Sequence, residues 1–150
     1  MPVIGNFVSL NYAAEESLVD YLIATCDPQQ TTATYYTGIG NVMDLKAPAV
    51  MVSADSGIET YHLSNVYDMP VMISIKEMAA DTNTANLGKL TANIFNAVCD
   101  PNIKAKVNLN NQRNFVTMFV QKMDSKHSVS EDTMISDILI RVVGSLSGSL

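Results

Sequence analysis

The sequence predicts an α+β domain in which two helices pack on one face of a mainly antiparallel sheet of about five strands. Three observations lead to this fold class. Apolar side chains alternate along 66–76, as they do in a half-buried strand. They recur at helical spacing in two other segments, and each of these ends at Cys-Asp-Pro. The remaining apolar segments are short and rich in β-branched residues. The predicted order is α-β-β-β-α-β-β, in a single domain over 1–150.

Two helices account for the segments with helical spacing. The first starts at Asn11, a favourable N-cap residue. The second follows a cap at Thr82 or Asn83. Each ends at a cysteine, Cys26 or Cys99, because the proline two positions later cannot continue a helix. The apolar stripe of the second helix consists of Leu87, Leu90, Ile94 and Val98, widened by Phe95.

The strands and loops follow from alternation and from turn residues. Pro70 lies inside the clearest strand and removes a backbone donor, so an edge position or a bulge is expected there. Strands are predicted within 31–40, 48–57, 66–76, 115–123 and 133–143. Polar loops are predicted at 55–65, 108–114 and 124–132, and a flexible tail at 144–150.

Composition narrows the class of protein. The net charge of −6 does not favour a basic nucleic-acid-binding surface. A hydrophobic content of 47% argues against a disordered chain. The longest apolar runs are too short to span a bilayer, and the first residues do not have the basic region of a signal peptide. We therefore expect the protein to reside in a reducing cytoplasm, in which a stable disulfide would be unusual.

The residues that often carry chemistry are scattered. Cys26 and Cys99 are 73 positions apart, and neither His62 nor His127 lies near them in sequence. Zinc sites usually have clustered ligands, and a thiol nucleophile needs a nearby imidazole. The cysteines are therefore expected to be half-buried structural residues at helix ends. No catalytic, cofactor-binding or metal-binding residue is predicted, and no cofactor.

One motif leaves an enzymatic alternative open. Asp55-Ser56-Gly57 follows an apolar strand and resembles the catalytic loop of aspartic proteases, and 138–145 resembles their later apolar-apolar-Gly element. A chain this short would have to dimerise so that two Asp55 carboxylates share one proton. That protease fold is nearly all strand, however, and has no place for the predicted second helix. A turn after a strand is the competing interpretation.

Three weaker patterns are interpreted structurally. The Gly-x-Gly at 37–41 does not have the further residues of a phosphate loop and is expected to be an ordinary loop. Lys104, Lys106 and Arg113 form a small basic cluster that is expected to be a solvated face. His127 is expected to face solvent in an exposed loop.

The order of elements resembles that of the tail terminator (tail completion, gpU-like) proteins of long-tailed bacteriophages. The resemblance covers about 11–143. The matching pieces are Pro48–Ser53, Val71–Ile75, Asp81-Thr82, the helix over 87–99, and Glu131–Val143. They are patterns of hydrophobicity and turn placement, and none is a catalytic motif.

The resemblance implies a structural virion protein without enzymatic activity. Such proteins form rings, usually of six subunits, that cap the tail tube, end its polymerisation and meet the head connector or neck protein. The expected location is the tail or neck of a virion assembled in the host cytoplasm, without contact with a membrane. An acidic chain could line a passage through which genomic DNA slides without specific binding. A stopper, neck or tube protein of the head-tail connection is the close alternative.

Overall fold

A computed structural model describes residues 10–38, 45–46, 48–54, 58–59, 66–78, 88–111, 117–128 and 133–145. The helices and strands follow the predicted order along the chain, with one additional helix and one additional, very short strand. In chain order the elements are α1 (Leu10–Cys26), β1 (Thr34–Thr37), β2 (Ala49–Ala54), β3 (Ile58–Glu59), β4 (Val66–Met78), α2 (Lys89–Val98), α3 (Ile103–Asn111), β5 (Thr117–Ser128) and β6 (Thr133–Ser145).

The strands form one sheet in the order β1-β2-β4-β6-β5, and β3 pairs with one end of β4. Strands β1 and β2 are parallel, and the other pairings are antiparallel. The predicted α+β class and the mainly antiparallel sheet are confirmed. Strand β4 is at the centre of this order, with β6 on one side and with β2 and β3 on the other.

One face of the sheet carries the core. Ile73 lies opposite Val52 on one side and Ile138 on the other, and all three are fully buried. The alternation predicted for β4 is confirmed, since its odd-numbered positions Met69, Val71, Ile73 and Ile75 have no exposed surface. This face is called the core face below.

The helices pack on the core face, and their apolar side chains join the strands in a single cluster. In α1 the buried arc is wide and includes Leu18, Tyr21 and Leu22. The Tyr21 hydroxyl donates a hydrogen bond to the Ala97 carbonyl oxygen at 2.6 Å, which ties α1 to α2. The third helix, α3, adds Ile103 and Val107 to the same cluster.

The prediction of a loop at 108–114 is wrong for 108–111, because these residues belong to α3. The turn before α3 is built by Asp100, whose carboxylate accepts the N–H of Asn102 at 2.8 Å and whose carbonyl accepts that of Ile103. Among its residues whose side chains are described, 103–107, the buried apolar ones are Ile103 and Val107. Two positions one turn apart are too few to reveal a helical period in a polar sequence.

Helix α2 starts later than the sequence suggests. Its N-cap is Gly88, which has a φ of 90° and no side chain to cap the helix. The predicted caps Thr82 and Asn83, and the stripe residue Leu87, lie outside the described residues. Leu90, Ile94 and Val98 are buried as predicted, and the helix ends in front of Cys99.

Pro70 does not lie on an edge strand, so of the two expectations for this residue the edge position is wrong. It lies within the central strand β4 and is in register with Arg141 of β6. On the other side of β4, pairing with β2 ends at Val71 and pairing with β3 begins at Asp68. Pro70 therefore occupies the step between two short partners, where no described residue is paired with it on that side.

The two last strands form a long hairpin. β5 runs to Ser128 and β6 starts at Thr133, so the loop predicted at 124–132 is shorter and His127 lies on a strand, in register with Met134. β6 continues to Ser145, two residues into the segment predicted as a tail.

Candidate assembly surface

The face of the sheet opposite the helices is called the open face, and its two halves differ. Toward β1, the open-face residues Ala49, Met51, Ser74 and Lys76 are buried. The Lys76 ammonium donates a hydrogen bond to the Leu45 carbonyl oxygen at 2.9 Å, so Leu45, which lies between β1 and β2 in the chain, is held against this half. The chain itself therefore shields one half of this face.

Toward β5, apolar side chains on the open face reach solvent. Met72 is 36% exposed and lies opposite Leu139, while Phe119 is 49% exposed and lies opposite Arg141. Exposed aromatic and methionine side chains beside an arginine are typical of the residues that protein–protein contacts bury. We call Met72, Phe119, Leu139 and Arg141 the open patch.

An ion pair holds Arg141 in place within the open patch. Its Nε and Nη2 donate to the two carboxylate oxygens of Asp68 at 2.6 and 2.7 Å. This bidentate geometry fixes the plane of the guanidinium. A second polar pair lies nearby, since the Ser74 hydroxyl donates to the Asp137 carboxylate at 2.8 Å. The polar groups in and beside the open patch are thus pre-arranged, which lowers the entropy lost when a partner binds.

The outer strand β5 is irregular at Gln121, where its register with β6 shifts between Val120 and Lys122. Beyond this bulge, the Lys122 ammonium lies 3.3 Å from the Asp124 carboxylate, and both side chains are more than half exposed. An exposed pair of this kind contributes little to stability. Its position on a sheet edge instead places one cation and one anion where another chain can meet them.

A narrow acidic stripe runs along the solvent side of α1. Tyr12, Glu16 and Asp20 recur at four-residue spacing. The charge of Glu16 is the main cause that raises the pKa of the exposed Tyr12. Partial burial, and then Glu16, raise the pKa of Asp20. This stripe is one place where the net negative charge of the chain reaches solvent.

The twin Cys-Asp-Pro segments end helices as predicted, but the two cysteines differ. Cys26 is half-buried, and its Sγ lies 3.5 Å from the Asn93 carbonyl oxygen. Cys99 is exposed, so the half-buried environment predicted for it is wrong. Both thiols are free.

Cys26 lies beside a polar groove of about 410 Å³ between α1 and α2. The groove is lined by Tyr21, Thr25, Cys26, Asn93, Asn96, Ala97 and Asp100.

We expect the two thiols to react at different rates in the native protein. Burial, and secondarily the charge of Asp27, raise the pKa of the Cys26 thiol, so less thiolate is present at neutral pH. Cys99 should react with a chromogenic disulfide at least about tenfold faster than Cys26. Cys99→Ser should remove only the fast phase. Equal rates, or fewer than two reactive thiols after denaturation, would contradict this assignment.

The other residues singled out from the sequence form no common site within the part of the chain that the structure describes. Asp55, His62 and Arg113 lie outside the described residues. Lys104 and Lys106 are exposed on α3, as predicted for a solvated face, and Lys106 pairs with Asp100. Within the described residues no group of three or more His, Cys, Asp or Glu side chains could hold a metal ion. No helix there is both long and apolar enough to cross a membrane.

The sequence did not indicate that three carboxylates, those of Glu15, Asp27 and Glu77, are buried. Glu15 accepts the N–H of Ala54 at 2.7 Å and joins α1 to the end of β2. Asp27 and Glu77 are also buried, and each accepts several backbone N–H groups. All three organise the fold. Their signal in the sequence is weak, because acidic residues are usually exposed.

Comparison with solved structures shows a likeness in fold. No protein-family model matches the sequence, and no curated protein does. A chain in the solved virion of a native gene transfer agent (GTA) particle is similar in structure, with a TM-score of 0.52 and 12% identity. The match covers 87% of this chain and 93% of that chain. The fold described above is therefore one that a chain of a gene transfer agent virion also has.

Proposed function

We propose that this protein is a structural virion component of a tailed phage or phage-like particle, and that it caps the tail tube as a ring, usually of six subunits. In this role it ends tube polymerisation and joins the tail to the head connector. The observation that carries the proposal is the likeness in fold to a chain of a gene transfer agent virion, which covers nearly all of both chains. The resemblance of the order of elements to that of tail terminator proteins supports the finer role.

The surface is compatible with an assembly protein. The open patch offers apolar area with a fixed arginine, and the acidic stripe of α1 offers negative charge. Negative charge toward the lumen of a ring would repel the phosphate backbone, so DNA would pass without adhering. Contacts with the tube and with the connector would use separate faces of the ring.

The decisive experiment measures the mass of the purified chain, alone and mixed with tail tubes, together with negative-stain images. We expect closed rings at the tube ends and tubes that no longer lengthen when more tube protein is added. A protein that stays monomeric and leaves tube length unchanged would contradict the tail-terminator role. Binding to heads but not to tubes would assign the chain to the neck or stopper instead.

The dimeric aspartic protease loses support from the fold. Three helices cover one face of the sheet, whereas that protease fold is nearly all strand. Asp55→Asn provides the direct test: a measured peptidase activity that disappears in this variant would restore the alternative. Unchanged assembly and no activity in either protein would eliminate it.

A further inference from the structure

The outer edge of β5 is available for pairing. Among the described residues only β6 pairs with β5, so the other edge of this 12-residue strand presents backbone N–H and C=O groups without a strand partner. Such an edge readily adds a strand from another chain unless it is blocked. The bulge at Gln121 breaks its regularity, which confines regular pairing to short segments on either side.

The charges next to the bulge are self-complementary. Lys122 and Asp124 are two positions apart and therefore point to the same face of the sheet. If two copies of β5 pair antiparallel about Met123, each Lys122 lies opposite the Asp124 of the other copy. Parallel pairing in register would instead place like charges together. Opposite charges at directly paired positions stabilise a strand pair, and like charges destabilise it.

Phe119 adds an apolar reason for a partner at this edge. It lies on β5, on the same face as Lys122, and is 49% exposed. An exposed aromatic residue on an edge strand is a liability for a soluble chain. A partner strand beside β5 would cover part of it.

We propose that two copies of this chain pair through β5, antiparallel, with a two-fold axis at Met123. This contact goes beyond the proposed ring. A ring with one face toward the tube and the other toward the connector relates its subunits only by rotation about the ring axis. The two-fold contact therefore belongs to the free protein, covers the β5 edge before assembly, and is exchanged for other contacts when the ring forms.

A disulfide trap tests the register. Facing Cα atoms in an antiparallel pair are about 4.5–5.5 Å apart, a distance that a disulfide spans. In a Cys99→Ser background, Met123→Cys should give a covalent dimer under mild oxidation. The matched control Thr37→Cys, an exposed residue on β1 at the opposite edge, should stay monomeric. Equal trapping at both positions would overturn the proposal.

Charge exchange tests the interface in the unmodified strand. Lys122→Asp should raise the dimer dissociation constant about tenfold at low salt, because it places two carboxylates opposite each other at both ends of the contact. Asp124→Lys should do the same. The double variant should return the constant to within about threefold of the original. A chain that sediments as a monomer up to about 1 mM, or a dimer indifferent to all three variants, would refute the contact. Neither result depends on ring formation.

Discussion

Glu77→Ala is expected to lower the free energy of unfolding by about 3 kcal/mol. The Glu77 carboxylate is buried at the start of α2. It accepts the N–H groups of Gly88, Leu90 and Thr91 at 3.2–3.3 Å and the Thr91 hydroxyl at 2.6 Å. Gly88 provides no side-chain cap, so Glu77 performs that task from the neighbouring strand β4. Alanine would leave these donors unpaired and remove the negative charge that the helix N-terminus favours.

Urea unfolding followed by far-ultraviolet circular dichroism measures this loss. Asp20→Ala is the matched control, because Asp20 is an exposed carboxylate on α1 and its removal should change stability by less than about 0.5 kcal/mol. Glu77→Gln should fall between the control and Glu77→Ala, since its amide has only one acceptor oxygen. A loss below about 1 kcal/mol for Glu77→Ala would show that water replaces the carboxylate and that the cap is unimportant.

The elements that the sequence predicted correctly are those in which one pattern outweighs all others. In β4 the alternation of Met69, Val71, Ile73 and Ile75 determines which face is buried, whatever lies beside the strand. The ends of α1 and α2 were predictable because a proline two residues after each cysteine prevents continuation. These are local constraints, and they need no knowledge of the partners across the fold.

The features that were missed depend on such partners. Pro70 is tolerated in a central strand because β2 and β3 meet β4 on either side of it, and this topology is invisible in the segment itself. Helix α3 has a weak apolar pattern and depends on the turn that Asp100 builds. Glu77 accepts hydrogen bonds from donors that lie 11 to 14 positions away in the sequence.

The candidate surface was predictable only in part. Alternation in β4 and β6 implies a second, more polar face. Only the structure shows that Leu45 contacts one half of this face, where side chains are buried, and that Phe119 and Met72 on the other half are exposed. The self-complementary spacing of Lys122 and Asp124 is visible in the sequence. That these two charges can meet a second copy becomes clear only from the strand order, which places β5 at an edge of the sheet.

Asp27→Ala is expected to lower the free energy of unfolding by about 2 kcal/mol at neutral pH. Asp27 is only 3% exposed, and its carboxylate accepts the N–H groups of Thr31, Thr32 and Ala33 at 2.9, 2.9 and 3.2 Å. These three hydrogen bonds hold the turn from α1 into β1. Within this turn Gln30 adopts a φ of 53°, which is unfavourable for a residue with a side chain. This Cys-Asp-Pro segment therefore both ends a helix and fixes the turn that follows it.

The same carboxylate makes stability depend on pH in a defined direction. Burial alone would raise the pKa of Asp27, but the hydrogen bonds from Thr31, Thr32 and Ala33 outweigh it and lower the pKa below its ordinary value. A carboxyl with a lowered folded-state pKa stabilises the fold above its unfolded pKa of about 4, and this contribution is lost as the pH falls through the folded-state pKa. The difference in unfolding free energy between the wild-type protein and Asp27→Ala should therefore be constant from about pH 7 to about pH 5 and shrink below about pH 4. A difference that grows on acidification would mean that Asp27 is protonated in the native turn, and that the three N–H groups are held by something other than its charge.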